Sequence, residues 1–516
     1  MMRRLLAVAV LYVGAFTAIV WSQGSTYYVN FQTGSGSVCS FAAPCATLTA
    51  AQTAASPGDT VIVSGTGTTD FTATKSGTAL NPITYRGYAD TCPTTPNTDP
   101  IAIGLGITER TDPTNIGKTA GFIIQANYIV VTCVNMRLNS ANGTNGIGVL
   151  VSANGSAQES GAHKSHGTFT WNYIEWDGTG TGCSTGIGIT TGGSSTGPAN
   201  MSTDNLVEHN YITQCSYGIY TKSTFLTARK NEVFRLRNGS AGGDMDYTRL
   251  WGEDITFQAN YYHGTRRSEC IFADCHIDCF QNFRLSNGGN ADVAKRFTIT
   301  GNVCMNTHQG ILMQDVSLGN PGPASGIFDT VTVTNNLVAG GPLNSAGTGP
   351  DTSTDLSTCM TFNSVLNVTA AHNTCLETMT FRAGTTGTAT NNIISVNSAA
   401  PLTCHESNAT VTCTKNLMYR PGYTLTVGQD GTGSNADNIV NANPLFVDTS
   451  INDYRLGAGS PAIGVGADVG VTTDIYGETR TLTYDIGAFE GVGAPEPEDP
   501  LPTPTFHGRG PARLRR

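Results

Sequence analysis

Residues 298–304 read TITGNVC and residues 332–338 read TVTNNLV. Each has Thr four residues before an Asn, with an apolar side chain close behind it. The frame recurs at TFTWNYI (Asn172), TARKNEV (Asn231), TFQANYY (Asn260), TAAHNTC (Asn373), TATNNII (Asn392) and TCTKNLM (Asn416). LVEHNYI at Asn210 and VTCVNMRL at Asn135 lack the Thr, so eight of ten copies carry it. Spacing between copies varies from 19 to 42 residues. Thr and its β-branched neighbours favour extended chain. Asn tolerates a left-handed corner, and stacked Asn side chains can hydrogen-bond in a ladder. A minimum gap near 20 residues with variable insertions predicts an all-β solenoid: a single-stranded, right-handed parallel β-helix of about ten or more coils. A β-propeller needs a more even period, and an ordinary β-sandwich would show the Asn turns only by coincidence.

Composition agrees. Only 13% of the 516 residues are charged, about half the ~25% of an average domain. With seven Lys, the chain cannot be a helical bundle or coiled coil, and 39% hydrophobic residues exclude an acidic disordered protein. The net charge of −10 leaves no basic stripe for nucleic acid. Residues 1–22 read as a secretion signal: Arg3 and Arg4, an apolar run Leu5 to Trp21, then small residues around Ser22. Uncleaved, the same run would serve as an anchor. Export permits disulfides, and 14 Cys is an even number; Cys39 with Cys45 and Cys404 with Cys413 are close enough in sequence to pair.

The expected organisation is a cap and first coil over 23–90, helix repeats over 91–440, an end segment over 441–492, and a Pro-rich acidic then basic tail over 493–516. Ala46 to Ala55 should form a short helix ended by Pro57-Gly58, covering the open end of the solenoid.

The two ends carry a resemblance. YYV…PCATLTAA…PGDTV…NPITYRG, within residues 26–88, and NPLFVD…DYRL…GSPAIGVG…DIGAFE, within 443–490, resemble the N-terminal cap and C-terminal segment of secreted right-handed parallel β-helix repeat proteins of the pectin-lyase-like superfamily. Gly464 departs from the Asp that more often follows SPAI there. The resemblance implies an extracellular or cell-surface protein and, for some members, polysaccharide lyase or glycoside hydrolase activity. Fold alone does not supply that activity.

The candidate site comes from comparing tetrapeptides after the Asn corners. Gly146-Ile147-Gly148-Val149, Gly186-Ile187-Gly188-Ile189, Gly218-Ile219-Tyr220-Thr221 and Gly310-Ile311-Leu312-Met313 carry no charge. Two central coils read Asp244-Met245-Asp246-Tyr247 and His276-Ile277-Asp278-Cys279. With the second position inward, the first and third face outward. Asp246 should then stack on Asp278 and Asp244 on His276, ~4.8 Å apart. Charges so close cannot both ionise freely, so one carboxyl keeps a proton or a cation sits between them.

Asp244, Asp246, His276, Asp278 and Arg249 are the candidate catalytic residues. Tyr220, Lys222, Trp251, Gln281 and Arg284 are the candidate substrate contacts, with Trp251 expected to stack on a sugar ring. Asp246 and Asp278 are candidate Ca²⁺ ligands. Glu253, Asp254, Arg266 and Arg267 flank the patch. Either Asp could act as general acid with the other as base in a hydrolase. In a lyase, carboxylates hold Ca²⁺ against a uronate while Lys222, Arg249 or His276 removes a proton. The expected partner is an extracellular polysaccharide bound by a monomer, with no nucleic acid and no membrane span once the signal is removed. The rival is a non-catalytic structural or adhesive surface protein.

Overall fold

The structure is a computed structural model that describes residues 24–67, 70–88, 118–119, 121–138, 147–151, 164–176, 187–191, 201–237, 245–269, 276–284, 293–315, 327–341, 358–396, 408–424 and 437–491. The signal segment, the tail, Asp244 and Cys404 lie outside these residues.

One coil illustrates the rest. Met245–Glu253 forms a first strand, Thr256–Gln258 a second and Tyr261–His263 a third. Among the described residues, the first two belong to a parallel sheet of 24 strands and the third to a parallel sheet of 12. Each strand pairs with its equivalent in the next coil. Crossovers between parallel strands are right-handed, and the molecule is a right-handed parallel β-helix. The helix Leu48–Ala54, capped by the Thr47 side chain, packs near the open end beside Thr26–Asn30 and Thr60–Ser64.

The Asn residues form the predicted ladder, with one change in who does what. In each coil, the Asn side-chain amide donates to the Oδ1 of the next Asn at 2.9–3.2 Å, from Asn172 through 210, 231, 260, 302, 336, 373, 392 and 416 to Asn438. The left-handed backbone belongs to the residue before it: Trp171, His209, Lys230, Ala259, Asn335, His372, Asn391 and Lys415 all have φ between 52° and 60°. The ladder Asn itself turns inward, where every amide group must find a partner. Asn135 is off the ladder: it pairs with Tyr173, and Val134 takes the ladder position with its N–H on Asn172 Oδ1 at 3.1 Å.

The Thr of the motif forms an outward column on the second strands. Among the described residues in register, Thr26, 60, 84, 168, 227, 256, 298, 332, 369, 388 and 412 occupy it, with Val130 and Leu206 between them.

Apolar side chains fill the interior, among them Phe122, Phe257, Phe280, Phe297, Phe328 and Phe362. Cys39–Cys45 is a disulfide, as expected, and Cys413 is also disulfide-bonded. Cys279–Cys304 and Cys359–Cys375 each tie a large-sheet strand to a small-sheet strand of one coil. Replacing Cys279 and Cys304 together with Ala should lower the unfolding free energy by about 3 kcal/mol through the loop they close. Urea unfolding of the variant checks this, and an unshifted midpoint would count against it.

Residues 443–491 turn back as a clasp over the small sheet. Tyr454, Ile475 and Phe489 cover Tyr261, Val303, Met305 and Leu337. The clasp also grips three successive left-handed corners. Asn335 bonds Thr473 O at 2.7 Å, His372 bonds Asp485 O at 3.1 Å, and Asn391 bonds Ala467 O at 2.7 Å. Arg480, its side chain wholly buried, pairs with Glu490 at 2.9 Å and donates to Asn335 Oδ1 at 2.8 Å. Among the described residues no helix is long and apolar enough to cross a membrane.

Candidate functional site

The central register is the expected one: Met245 lies opposite Ile277 and Asp246 opposite Asp278. Met245 and Ile277 enter the core. The flanking coils are displaced. Tyr217, not Tyr220, stands beside Asp246, and Gln309, not Leu312, stands beside Asp278. Gly218 and Gly310 sit three residues from their expected level, opposite Tyr247 and Cys279, and they face inward. A Cβ on Gly218 would lie 2.6 Å from Val233, and one on Gly310 would lie 2.6 Å from Val338. Glycine there makes room for the opposite wall, so it says nothing of the outer face.

The outer face of the large sheet therefore carries three columns across these coils. One runs Tyr217, Asp246, Asp278, Gln309; the next Tyr220, Arg249, Gln281, Leu312; the third Lys222 and Trp251, continuing from Phe283 to Gln314. In both coils the carboxylate meets the side chain three residues further on. Arg249 Nε lies 2.6 Å from Asp246 Oδ2. Gln281 Nε2 donates to Asp278 Oδ2 at 2.7 Å, and Arg249 donates to Gln281 Oε1. The guanidinium lies 4.8 Å from the Tyr217 ring and 5.3 Å from the Phe283 ring.

These contacts correct several expectations. Asp246 and Asp278 are together but fully buried, because Arg249, Gln281 and the aromatic rings close over them. Trp251 is only 2% exposed, so it offers no face to a sugar. Its ring packs against Tyr220 and Phe283, Lys222 Nζ sits 4.9 Å above it, and its N–H is given to Phe283 O at 2.9 Å. His276 is exposed, and its carbonyl accepts from Met245 N at 2.8 Å. Arg284 reaches Asp315 at 3.6 Å. Tyr220, Lys222 and Arg284 keep partial exposure at the rim. Glu253 and Asp254 are drawn to Arg296, each at 2.7 Å, and that guanidinium holds the Asp254 carboxyl below its ordinary value.

Beneath the site, Tyr247 and Tyr262 are buried in the core, which pushes both hydroxyls far above the ordinary tyrosine range. Tyr217, Phe283 and Gln309 were not singled out from the sequence. The signal that would have shown the paired side chains is the repeated spacing Asp-x-x-Arg (246–249) and Asp-x-x-Gln (278–281) in adjacent coils.

Calcium takes six to eight oxygen ligands. Among the described residues no group of three or more His, Cys, Asp or Glu side chains converges. Among them the pair lacks the further oxygen ligands a calcium ion would need, and a guanidinium already stands beside Asp246.

The fold defines the class, a right-handed parallel β-helix. No family model matches the chain, and no curated protein matches it. Among solved structures, the complex of XylC with xylose is similar over 90% of this chain and 98% of its own, at 11% identity and TM-score 0.50. The pectate lyase Pel9A is similar over 91% and 97%, at 14% identity and TM-score 0.38. An alginate lyase from Paenibacillus sp. str. FPU-7 is similar over 81% and 99%, at 16% identity and TM-score 0.33. At 11% identity the likeness to XylC is one of fold.

Proposed function

We propose that the protein binds an extracellular polysaccharide along the outer face of the large sheet and cleaves it with Asp246 and Asp278 as the acid–base pair. The observation that carries this reading is two carboxyl groups in register on neighbouring coils, each with its own polar partner. XylC, which shares the fold, was solved with xylose. Tyr220, Lys222 and Arg284 on the rim would meet the glycan first. Arg249 and Gln281, which lie over the pair, would stand between the glycan and the two carboxyls. In a hydrolase one carboxyl protonates the leaving oxygen while the other activates water; in a lyase the pair handles the proton of the eliminated unit.

A polysaccharide panel, read by reducing ends and by ultraviolet absorbance of unsaturated products, tests this. Asp246→Asn and Asp278→Asn should each slow cleavage by about 10²- to 10⁴-fold. No product on any polymer would overturn the enzymatic reading. The structural or adhesive reading draws support from the complete burial of both carboxyls and from the Thr column on the neighbouring face. It expects glycan or surface binding without product, and no change in that binding in either Asp→Asn variant.

A further inference from the structure

Two carboxylates directly opposite across one strand spacing, ~4.8 Å, repel strongly once removed from water. Asp246 and Asp278 are in that position with no exposure to solvent. A circuit of side chains joins them: Asp246 to the Arg249 guanidinium, that guanidinium to the Gln281 carbonyl, and the Gln281 amide to Asp278. Asp246 and Arg249 form an ion pair, and the chemistry fixes the direction of the two hydrogen bonds that follow. Guanidinium can only donate, so Gln281 must turn its oxygen toward Arg249, which leaves its NH₂ for the carboxylate of Asp278.

We propose that Arg249 is a positioning residue that acts as the built-in cation of this carboxylate pair, in the place a divalent ion would otherwise take, and that Gln281 relays its polarity to Asp278. Arg249 is therefore not the base that removes a substrate proton, since a guanidinium stays protonated. Its guanidinium carbon lies over the Tyr217 and Phe283 rings while its nitrogens make the polar contacts. Lysine, a compact point charge without a planar fork, cannot reproduce both. The assignment deepens the polysaccharide-cleaving reading, but its test needs no substrate, so either can fail without the other.

Calcium chloride is titrated calorimetrically into the full chain, alongside ¹³C titration of the aspartate carboxyls. The wild type should show no calcium binding that depends on Asp246 and Asp278. Arg249→Ala should gain calcium affinity by roughly tenfold or more, and adding Asp246→Asn should abolish the gain. The carboxyl titration of the pair should shift in Arg249→Ala. It should shift in Arg249→Lys too, which a general loss of positive charge would not produce. If Arg249→Ala does not fold, the neutralised triple variant Arg249→Met, Asp246→Asn, Asp278→Asn should fold, because charge compensation is what was lost. The proposal is overturned by calcium binding at the pair in the wild type. It is equally overturned if a folded Arg249→Ala gains no cation and titrates as the wild type does, or if the triple variant fails to fold.

Discussion

Asn302→Ala is expected to lower the unfolding free energy by about 4 kcal/mol. The Asn302 amide donates to Asn336 Oδ1 at 3.0 Å and to Phe257 O at 3.0 Å. Its oxygen accepts from both the backbone N–H and the side-chain amide of Asn260, at 3.0 and 2.9 Å. Alanine removes all of these and leaves buried donors and acceptors in two neighbouring coils, each costing about 1–3 kcal/mol when unsatisfied, with some recovered by relaxation. Total stability of a domain is about 5–15 kcal/mol, so this is a large share. Because stacked coils couple only to their neighbours, the damage should concentrate beside coil 302. Urea unfolding gives the size and hydrogen exchange gives the place. A loss under about 1 kcal/mol, or exchange spread evenly along the chain, would refute the account.

Acidification should weaken the clasp through His372. Burial is the main cause that lowers this imidazole from 6.5 to about 3, helped by the nearby Arg480 cation. The bonding explains why it must be neutral. Asn391 donates its amide to His372 Nε2 at 2.9 Å, and that amide cannot turn over, since it also donates to Ala467 O and its oxygen accepts Ala467 N. Nε2 is thus an acceptor, and Nδ1–H is spent on Asp485 O.

A histidine whose folded pKa lies below its unfolded value gives its full contribution above pH 6.5 and loses it as pH falls toward 3. That lowering corresponds to roughly 5 kcal/mol. Asp474 and Asp485, both raised by burial, act with the opposite sign. The comparison is therefore between wild type and His372→Gln. Their stability difference should shrink steadily on acidification through that window, with exchange rising first in residues 460–491. Parallel pH profiles for the two proteins would refute it.

The sequence carried the fold because a solenoid repeats its instructions. Thr and Asn at a fixed spacing, reread in eight copies, could be aligned without knowing the loops between them. The short cap helix was legible from its Ala-rich run and the Pro57-Gly58 that ends it. The site was legible only in part. Asp246 and Asp278 could be matched because their coils have the same local pattern, whereas Gly218 and Gly310 misled by three residues. Glycine marks close approach, and sequence does not say from which side the neighbour comes. Nor could burial be read. Arg249 and Tyr217 come from different coils, and their closure over the carboxylates is a property of stacking, not of any one segment. The grip of the clasp on Asn335, His372 and Asn391 is likewise a contact between segments more than 75 residues apart in sequence.

The Asn ladder has a further consequence. Every rung makes the same bonds upward and downward, so the spine has translational symmetry and cannot count. A growing chain that skipped one coil would find an equally good rung waiting. Numbering must come from whatever breaks the symmetry: the unequal connections, the disulfides at Cys279 and Cys359, and the clasp, which recognises three particular corners. In this molecule the irregular parts, more than the regular ones, tell each coil which one it is.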